Sequence, residues 1–310
     1  MKPRQRKPKP RKPRSTKTIN KREVIKMSMI ISGKEIGAGE RERIKAEVEI
    51  LKKESGITPR LSVIIVGSDP ASCVYVRNKH KGCLDVGMLS DVFELPENTT
   101  QEELEALVDK LNADESVHGI LCQLPLPRHL DADSIIKRIS PKKDVDAFHA
   151  ENVGNIMLGK YSFLPCTPAG VMVMLRESGI SVEGKDCVVI GRSNIVGKPM
   201  AMLLINAGAT VTVCHSKTKN LAEVTKRADI VICAVGRAKF LTEDMVKEGA
   251  VVIDVGINRD ENGKLCGDVD YENVAPKTSA ITPVPGGVGP MTITMLLRNT
   301  LTSAQNKAKQ

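Results

Sequence analysis

Short runs of β-branched and other apolar residues alternate along this chain with longer stretches whose apolar positions recur every three or four residues. Ile36 to Ser55 is charged and helical, with apolar residues at Ile44, Val48 and Leu51. Leu61-Ser62-Val63-Ile64-Ile65-Val66 reads as a buried strand, stopped by a Gly67-Ser68-Asp69-Pro70 turn. The spacing then predicts a helix from Ala71 to about Gly87, a weaker strand over Leu89–Leu95 and a helix over Thr100–Asn112. A strand over Val117–Pro125 and a short helix over Asp131–Ile139 follow. Cys166-Thr167-Pro168 starts another helix, with Thr167 as its cap and Pro168 in its first turn. Strands are expected over Lys185–Ile190, Ala209–Cys214, Ile230–Gly236 and Val251–Gly256, and a last helix from Thr292 to about Ser303. Beyond Thr302 the polar tail is expected to fray. Regular alternation of strand and helix predicts parallel α/β sheets, whose ligands bind beyond the carboxyl ends of the strands.

Several polar residues fall at such ends. Ser72, Tyr75 and Lys79 are spaced i, i+3, i+7 and share one helix face, apart from an apolar stripe of Cys73, Val76, Cys83 and Leu84. A hydroxyl, a phenol and an amine side by side can hold and protonate a polar substrate, although the pattern also fits a plain solvated face. Gln123 and Pro125 lie at another strand end, and Asp144-Val145-Asp146 follows the next helix. Separate pieces pointing to one rim favour the functional reading.

The segment Val188-Val189-Ile190-Gly191-Arg192-Ser193-Asn194-Ile195-Val196-Gly197-Lys198-Pro199 is a strand feeding a Gly-bounded loop and a helix. Backbone N–H groups at such a helix start can hold a pyrophosphate. The pattern is Gly-x-Ser-x-x-x-Gly, not Gly-x-Gly-x-x-Gly. At the end of the second strand an NAD site usually carries an acid for the ribose hydroxyls. Here that end is Cys214-His215-Ser216-Lys217, with Arg192 in the first loop, which favours NADP and its 2′-phosphate. His215 equally suits a simple capping role. Gly236 and Gly256 close the next two strands and allow close backbone approach to a ligand. The Pro- and Gly-rich stretch Thr282–Thr292 reads as a tailored binding loop.

Composition narrows the classes. The chain has 310 residues, enough for two domains, and 41% apolar residues supply a core. Aromatics are 2% with no Trp, so stacking on nucleic-acid bases is not a theme. Net charge is +9, but residues 1–26 hold twelve Lys/Arg against Glu23 alone, leaving −2 for the rest. That Pro-rich arm is expected to be disordered. It reads as a dispensable tail before Met27 and Met29, or as a weak polyanion contact. No apolar run is long enough to span a membrane. Eight cysteines lacking any Cys-x-x-Cys pair read as small buried hydrophobes of a reducing cytoplasm, and no metal site is expected.

With these residues assembled, the chain from about Met29 to Thr302 resembles the bifunctional methylenetetrahydrofolate dehydrogenase/methenyltetrahydrofolate cyclohydrolase family. Five motifs in order carry the resemblance: Pro70-Ala71-Ser72 with Tyr75–Lys79, Gln123–Pro127, Lys143–Asp146, Gly191-Arg192-Ser193 through Pro199, and Thr282–Thr292. One departure is Ala147, where the family commonly has Gly; a methyl is tolerable there unless the residue needs positive φ.

The resemblance implies an α/β chain of two domains with a cleft between them. Residues 29–148 plus 286–303 would form the folate-binding catalytic domain, and 149–285 a Rossmann-like NADP-binding domain. Residues 1–28 and 304–310 would be tails. It implies that Lys79 is the catalytic amine, tuned by Gln123, that Tyr75 packs on the folate rings and that Asp146 holds the pterin donors. Ser72, Pro285, Gly286 and Gly287 would contact substrate. Gly191, Arg192, Ser193, Gly197, His215, Ser216, Gly236, Gly256, Ile257 and Thr292 would lie along the cofactor. The implied activity is NADP-dependent oxidation of 5,10-methylenetetrahydrofolate, then hydrolysis to 10-formyltetrahydrofolate, in the one-carbon metabolism that feeds purine biosynthesis. A homodimer through the cofactor domain is also implied. Two rivals remain. A shikimate-dehydrogenase-like enzyme shares the architecture but leaves Tyr75, Lys79, Gln123 and the 282–292 loop unexplained. A nucleic-acid-binding protein accounts for the basic arm alone.

Overall fold

A computed structural model of the chain describes residues 28–309. The basic tail lies outside the described residues except for Ser28, whose hydroxyl meets that of Thr278 at 2.7 Å and so belongs to the folded body. The first half runs β1 (Met29–Ile30), α1 (Gly33–Ser55), β2 (Arg60–Val66), α2 (Pro70–Asp85), β3 (Leu89–Leu95), α3 (Gln101–Ala113), β4 (Gly119–Cys122) and α4 (Ala132–Arg138). β3, β2 and β4 form a parallel sheet in that order, and a bridge from Ile120 to Asp144 adds the Asp144–Asp146 segment beside β4. Local chemistry sets the helix starts. Thr100 and Glu103 form a reciprocal capping box on α3. Asp69 caps α2, its carboxylate accepting from the Ser72 N–H at 2.8 Å.

The second half runs α5 (Ala150–Met157), α6 (Cys166–Glu177), β5 (Asp186–Ile190), α7 (Gly197–Asn206), β6 (Thr210–Cys214), α8 (Leu221–Thr225), β7 (Ile230–Cys233) and β8 (Val251–Asp254). A small hairpin of β9 (Asn258–Arg259) and β10 (Leu265–Cys266), then α9 (Tyr271–Val274), β11 (Ala280–Ile281) and α10 (Val288–Ala308), completes it. The large sheet has the order β1-β11-β8-β7-β5-β6 and is parallel throughout. β1 therefore joins the sheet of the second half, although its sequence position groups it with the first.

Alternation along the strands divides the core. Leu61, Val63 and Ile65 of β2 and Cys187 and Val189 of β5 face a central core shared with α1, α6, α7 and α10. Ile64 and Val66 face a separate layer under α3, while Val188 and Ile190 face the far side of the large sheet. Full burial of each such side chain contributes about 1.5–3 kcal/mol.

Three expectations about helices need correction. The last helix begins at Val288 and runs to Ala308 without fraying at Thr302, because its polar residues find partners. The Ser303 hydroxyl donates to the Lys142 carbonyl at 3.0 Å, Ala304 is buried, and Lys307 pairs with Glu115. Thr167 does not cap α6, which starts at Cys166 after Pro165; its hydroxyl instead meets that of Thr292 at 2.9 Å. Leu84 lies outside the buried stripe of α2 and is exposed. All eight cysteines are free thiols and six are buried. No helix among the described residues is long and apolar enough to cross a membrane.

Candidate functional site

The carboxyl ends of both sheets converge on a cleft of about 820 Å³. One wall is the start of α2, from Asp69 to Tyr75; the other is the segment Asp254–Arg259 with Leu265. The loop Pro283–Pro290 closes it. Tyr75, Gly256, Ile257, Pro285, Gly286 and Gly287 thus share one surface. Tyr75 is 38% exposed there, whereas Ser72 is buried and is not on the wall.

Lys79 lies one helical turn beyond Tyr75 on the same face of α2, in a polar corner that is not part of the cleft's lining. The Lys79 Nζ donates to Gln123 Oε1 at 2.9 Å. Gln123 is itself fixed, its amide donating to the Leu124 carbonyl at 2.6 Å and its backbone N–H to the Ile64 carbonyl at 2.8 Å. Asp146 completes the corner. Burial raises its pKa above the ordinary carboxylate value, and the nearby charge of Lys79 opposes that rise. The Cys166 thiol lies 3.7 Å from Asp146 Oδ1 and 3.5 Å from the Val145 carbonyl. Asn299 donates to the carbonyls of Val145 and Leu164, each at 2.8 Å, and so ties the Asp146 segment to the approach of α6. Ala147, next to Asp146, has φ 58° and is fully buried, so the methyl sits where the backbone favours glycine.

On the cofactor side the turn after β5 is tight. Gly191 has φ 129°, and a Cβ there would lie 2.2 Å from the Ala234 carbonyl oxygen. A Cβ on Gly197 would meet the Gly191 carbonyl oxygen at 2.2 Å. The Ser193 hydroxyl accepts from the N–H groups of Val196 and Gly197 at 3.2 and 3.3 Å and shapes the turn. Arg192, Ser193, Ser216 and Lys217 are exposed around the ends of β5 and β6, and no carboxylate occupies residues 214–217. His215 does serve locally, its Nδ1 accepting from the Lys217 N–H at 3.1 Å. A glycine-tight turn before a helix, with cations instead of an acid at the second strand end, fits a dinucleotide carrying a 2′-phosphate.

Gly256 lines the cleft and is also closely approached from within the protein. A Cβ there would lie 2.3 Å from the Asp268 carboxylate. Asp254 and Asp268, both buried, hold the loops after β7 and β8 and were not singled out from sequence. The available signal was an acid inside the apolar run Val251–Val255, where an ionised group must find donors. Burial pushes Asp254 up to about 6 against backbone amide bonds from Asp268, Val269 and Gly256 that pull it down. Asn299 was also missed, because one Asn in a helix carries no pattern.

Comparison with known proteins adds to this geometry. Residues 31–146 match the model of the tetrahydrofolate dehydrogenase/cyclohydrolase catalytic domain, and residues 165–308 that of the corresponding NAD(P)-binding domain. The bifunctional protein FolD of Acetivibrio thermocellus is 60% identical over 280 residues, covering 90% of this chain and 98% of that one. The crystal structure of the bifunctional FolD methylenetetrahydrofolate dehydrogenase/cyclohydrolase from Campylobacter jejuni superposes with TM-score 0.88 at 56% identity, covering 90% of this chain and 99% of the other. The Trypanosoma brucei N5,N10-methylenetetrahydrofolate dehydrogenase-cyclohydrolase, solved with NADP and an inhibitor, gives TM-score 0.88 at 40% identity, covering 92% and 99%.

Proposed function

Because the chain belongs to the tetrahydrofolate dehydrogenase/cyclohydrolase family, we infer that it is a bifunctional enzyme of one-carbon metabolism. It oxidises 5,10-methylenetetrahydrofolate with NADP and hydrolyses the methenyl product to 10-formyltetrahydrofolate. The observation that carries the residue assignment is the 2.9 Å bond from Lys79 to Gln123, one helical turn along α2 from the Tyr75 wall of the cleft.

We assign Tyr75 to the face of the folate rings, Asp146 to the pterin donors, and Pro285, Gly286 and Gly287 to the opposite side of the substrate. Ser72 acts from behind that wall, through the packing of α2. NADP, when bound, accepts the hydride from the methylene carbon. Gly191, Ser193 and Gly197 suit its pyrophosphate, Arg192, His215 and Ser216 its 2′-phosphate end, and Gly236, Gly256, Ile257 and Thr292 its nicotinamide end. Oxidation asks the chain for orientation more than for acid or base, and two walls facing one cleft provide it. Hydrolysis asks for a proton relay as water attacks the methenyl carbon. Lys79, oriented by Gln123 and facing Asp146, supplies it. In this reading 29–148 plus 286–303 forms the folate unit and 149–285 the NADP unit, with β1 lending its strand to the sheet of the NADP unit; α10 packs on α1, α2 and α6 and so joins them.

A homodimer is supported by exposed apolar side chains on neighbouring elements, Met157 and Leu158 with Ile205 and Val213; a monomer in sedimentation equilibrium would remove that reading. Eight free thiols suit a reducing cytoplasm.

The test is a coupled assay. Methylenetetrahydrofolate and NADP should give a methenyl absorbance that rises and then decays. Lys79→Met should slow the decay by about a thousandfold or more, the upper range for one general acid–base group together with lost orientation. Decay at the wild-type rate in folded variant would remove Lys79 from the hydrolytic step.

A further inference from the structure

The cofactor wall is held by two buried carboxylates arranged in series. Thr282, fully buried at the end of β11, accepts from the Asp254 N–H through its hydroxyl at 2.7 Å. Asp254 Oδ1 accepts from the N–H groups of Gly256 and Asp268, each at 2.9 Å, and Oδ2 from that of Val269 at 3.0 Å. Asp268 then reaches across to the neighbouring loop. Its Oδ2 accepts from the N–H groups of Val235 and Gly236 at 2.6 and 2.9 Å. Its Oδ1 accepts from the Arg237 N–H and from the Asn258 side-chain amide, each at 2.9 Å.

Three consecutive backbone N–H groups converging on one carboxylate form an anion-binding concavity, filled here by the protein's own side chain. Charge-assisted bonds of this kind are about twice as strong as neutral ones. The surroundings are built to admit it, since a Cβ on Gly267 would lie 1.8 Å from Asp254 Oδ2. No Lys or Arg is paired with either carboxylate among the described residues, so backbone dipoles and one amide carry the compensation. The segments held are Val235–Arg237 and Gly256–Asn258, which flank the proposed nicotinamide end, whereas Lys79, Gln123 and Asp146 make no bond to this chain of groups.

We propose that Asp268, fixed by Asp254, is a positioning residue for the dehydrogenase half-reaction: it holds the loops after β7 and β8 in the conformation that receives NADP, and the cyclohydrolase half-reaction does not depend on it. This rests on the function proposed above. An amide at position 268 keeps the shape but turns an NH₂ group towards amide donors, so at least one of the four bonds is replaced by repulsion.

The experiment uses the full chain. Steady-state rates of NADP-dependent oxidation and of methenyltetrahydrofolate hydrolysis are compared for wild type and Asp268→Asn, with thermal melting to confirm folding. The expected result is a tenfold or greater rise in KM for NADP, with the hydrolytic kcat within threefold of wild type. Thr282→Val, which leaves the Asp254 N–H without its acceptor, should raise the same KM about threefold to tenfold, and it decides the matter if Asp268→Asn does not fold. Equal losses in both activities, or a KM for NADP within twofold of wild type in the folded variants, would overturn the inference. Wild-type protein lacking both activities would overturn the proposed function, and is distinguishable because no variant is needed to see it.

Discussion

Lys79 is fixed by one side-chain acceptor, Gln123, and faces one recessed acid, Asp146; the loops after β7 and β8 are fixed by Asp268, which accepts from three successive backbone N–H groups. The folate wall therefore carries an amine and an acid, Lys79 and Asp146, that can exchange a proton during a reaction, and fixes the amine with a neutral amide. The cofactor wall holds its backbone with carboxylates that have no proton to relay while ionised. The first suits hydrolysis, which must move a proton, and the second suits hydride transfer, which must hold two rings still. Substitution should expose the contrast. Removing one folate-wall side chain deletes a chemical role, whereas removing one cofactor-wall carboxylate releases a whole loop.

The contrast extends to buried groups that titrate with opposite sign. His118 lies at the amino-terminal end of the folate sheet, its Nδ1 accepting from the Arg60 N–H at 3.2 Å. Burial, helped by the charges of Lys307, Lys143 and Arg60, pulls it from an ordinary 6.5 to about 4. The unfolded chain then binds the extra proton first, so stability present above pH 6.5 is lost as pH falls towards 4, by roughly 3 kcal/mol in full and about 2 by pH 5. Asp254, raised from 3.8 to about 6, works the other way, and folding gains as pH falls through that window. His118→Asn preserves an acceptor for the Arg60 N–H and removes the titration. In urea unfolding at pH 7 and pH 5, the stability lost on acidification should be about 2 kcal/mol smaller for the variant than for wild type. Equal losses would mean that His118 does not carry the acid sensitivity of the folate half.

A smaller effect tests the cofactor wall where side chains are proposed to meet the ligand. Arg192 is exposed at the β5 turn, and its proposed partner is the 2′-phosphate. Arg192→Ala should raise KM for NADP about tenfold, the worth of one charge-assisted contact in an exposed site, and leave KM for NAD nearly unchanged. Parallel losses with both dinucleotides would place Arg192 on the pyrophosphate and weaken the case for NADP selectivity from this loop.

The sequence was legible where chemistry repeats in space. Period-two and helical spacing located β2, β3, α3 and the β5-turn-α7 unit within a few residues, because burial and capping act locally. Spacing placed Tyr75 and Lys79 on one helix face and Gln123 at a strand end, a pattern that also fits a solvated face, and the resemblance to the family supplied their roles. Asp268 was not visible, since its four partners come from loops ten to thirty-three residues away. The last turn of α10 was misjudged because its polarity is satisfied by Lys142 and Glu115, far away in sequence. Spacing and the Pro70-Ala71-Ser72 motif both pointed to Ser72, whose burial depends on packing around α2 that neither pattern contains.

Ala147 offers the finest discrimination between the walls. The cofactor turn meets its demand for positive φ with Gly191, while the segment beside Asp146 meets a φ of 58° with alanine. An L-residue in that region costs roughly 1–2 kcal/mol. Ala147→Gly removes this strain but gives up a buried methyl worth about 0.8 kcal/mol and adds chain entropy worth about 0.4–1 kcal/mol. The terms nearly cancel, so urea unfolding should show a change within about 0.5 kcal/mol. Without strain the same substitution would cost roughly 1.5 kcal/mol by those two losses. Ala46→Gly, at an exposed position inside α1, calibrates the measurement at about 1 kcal/mol destabilising. If Ala147→Gly costs more than Ala46→Gly, the segment carrying Asp146 is unstrained. The folate wall would then hold its acid as free of backbone cost as the cofactor wall holds its glycines.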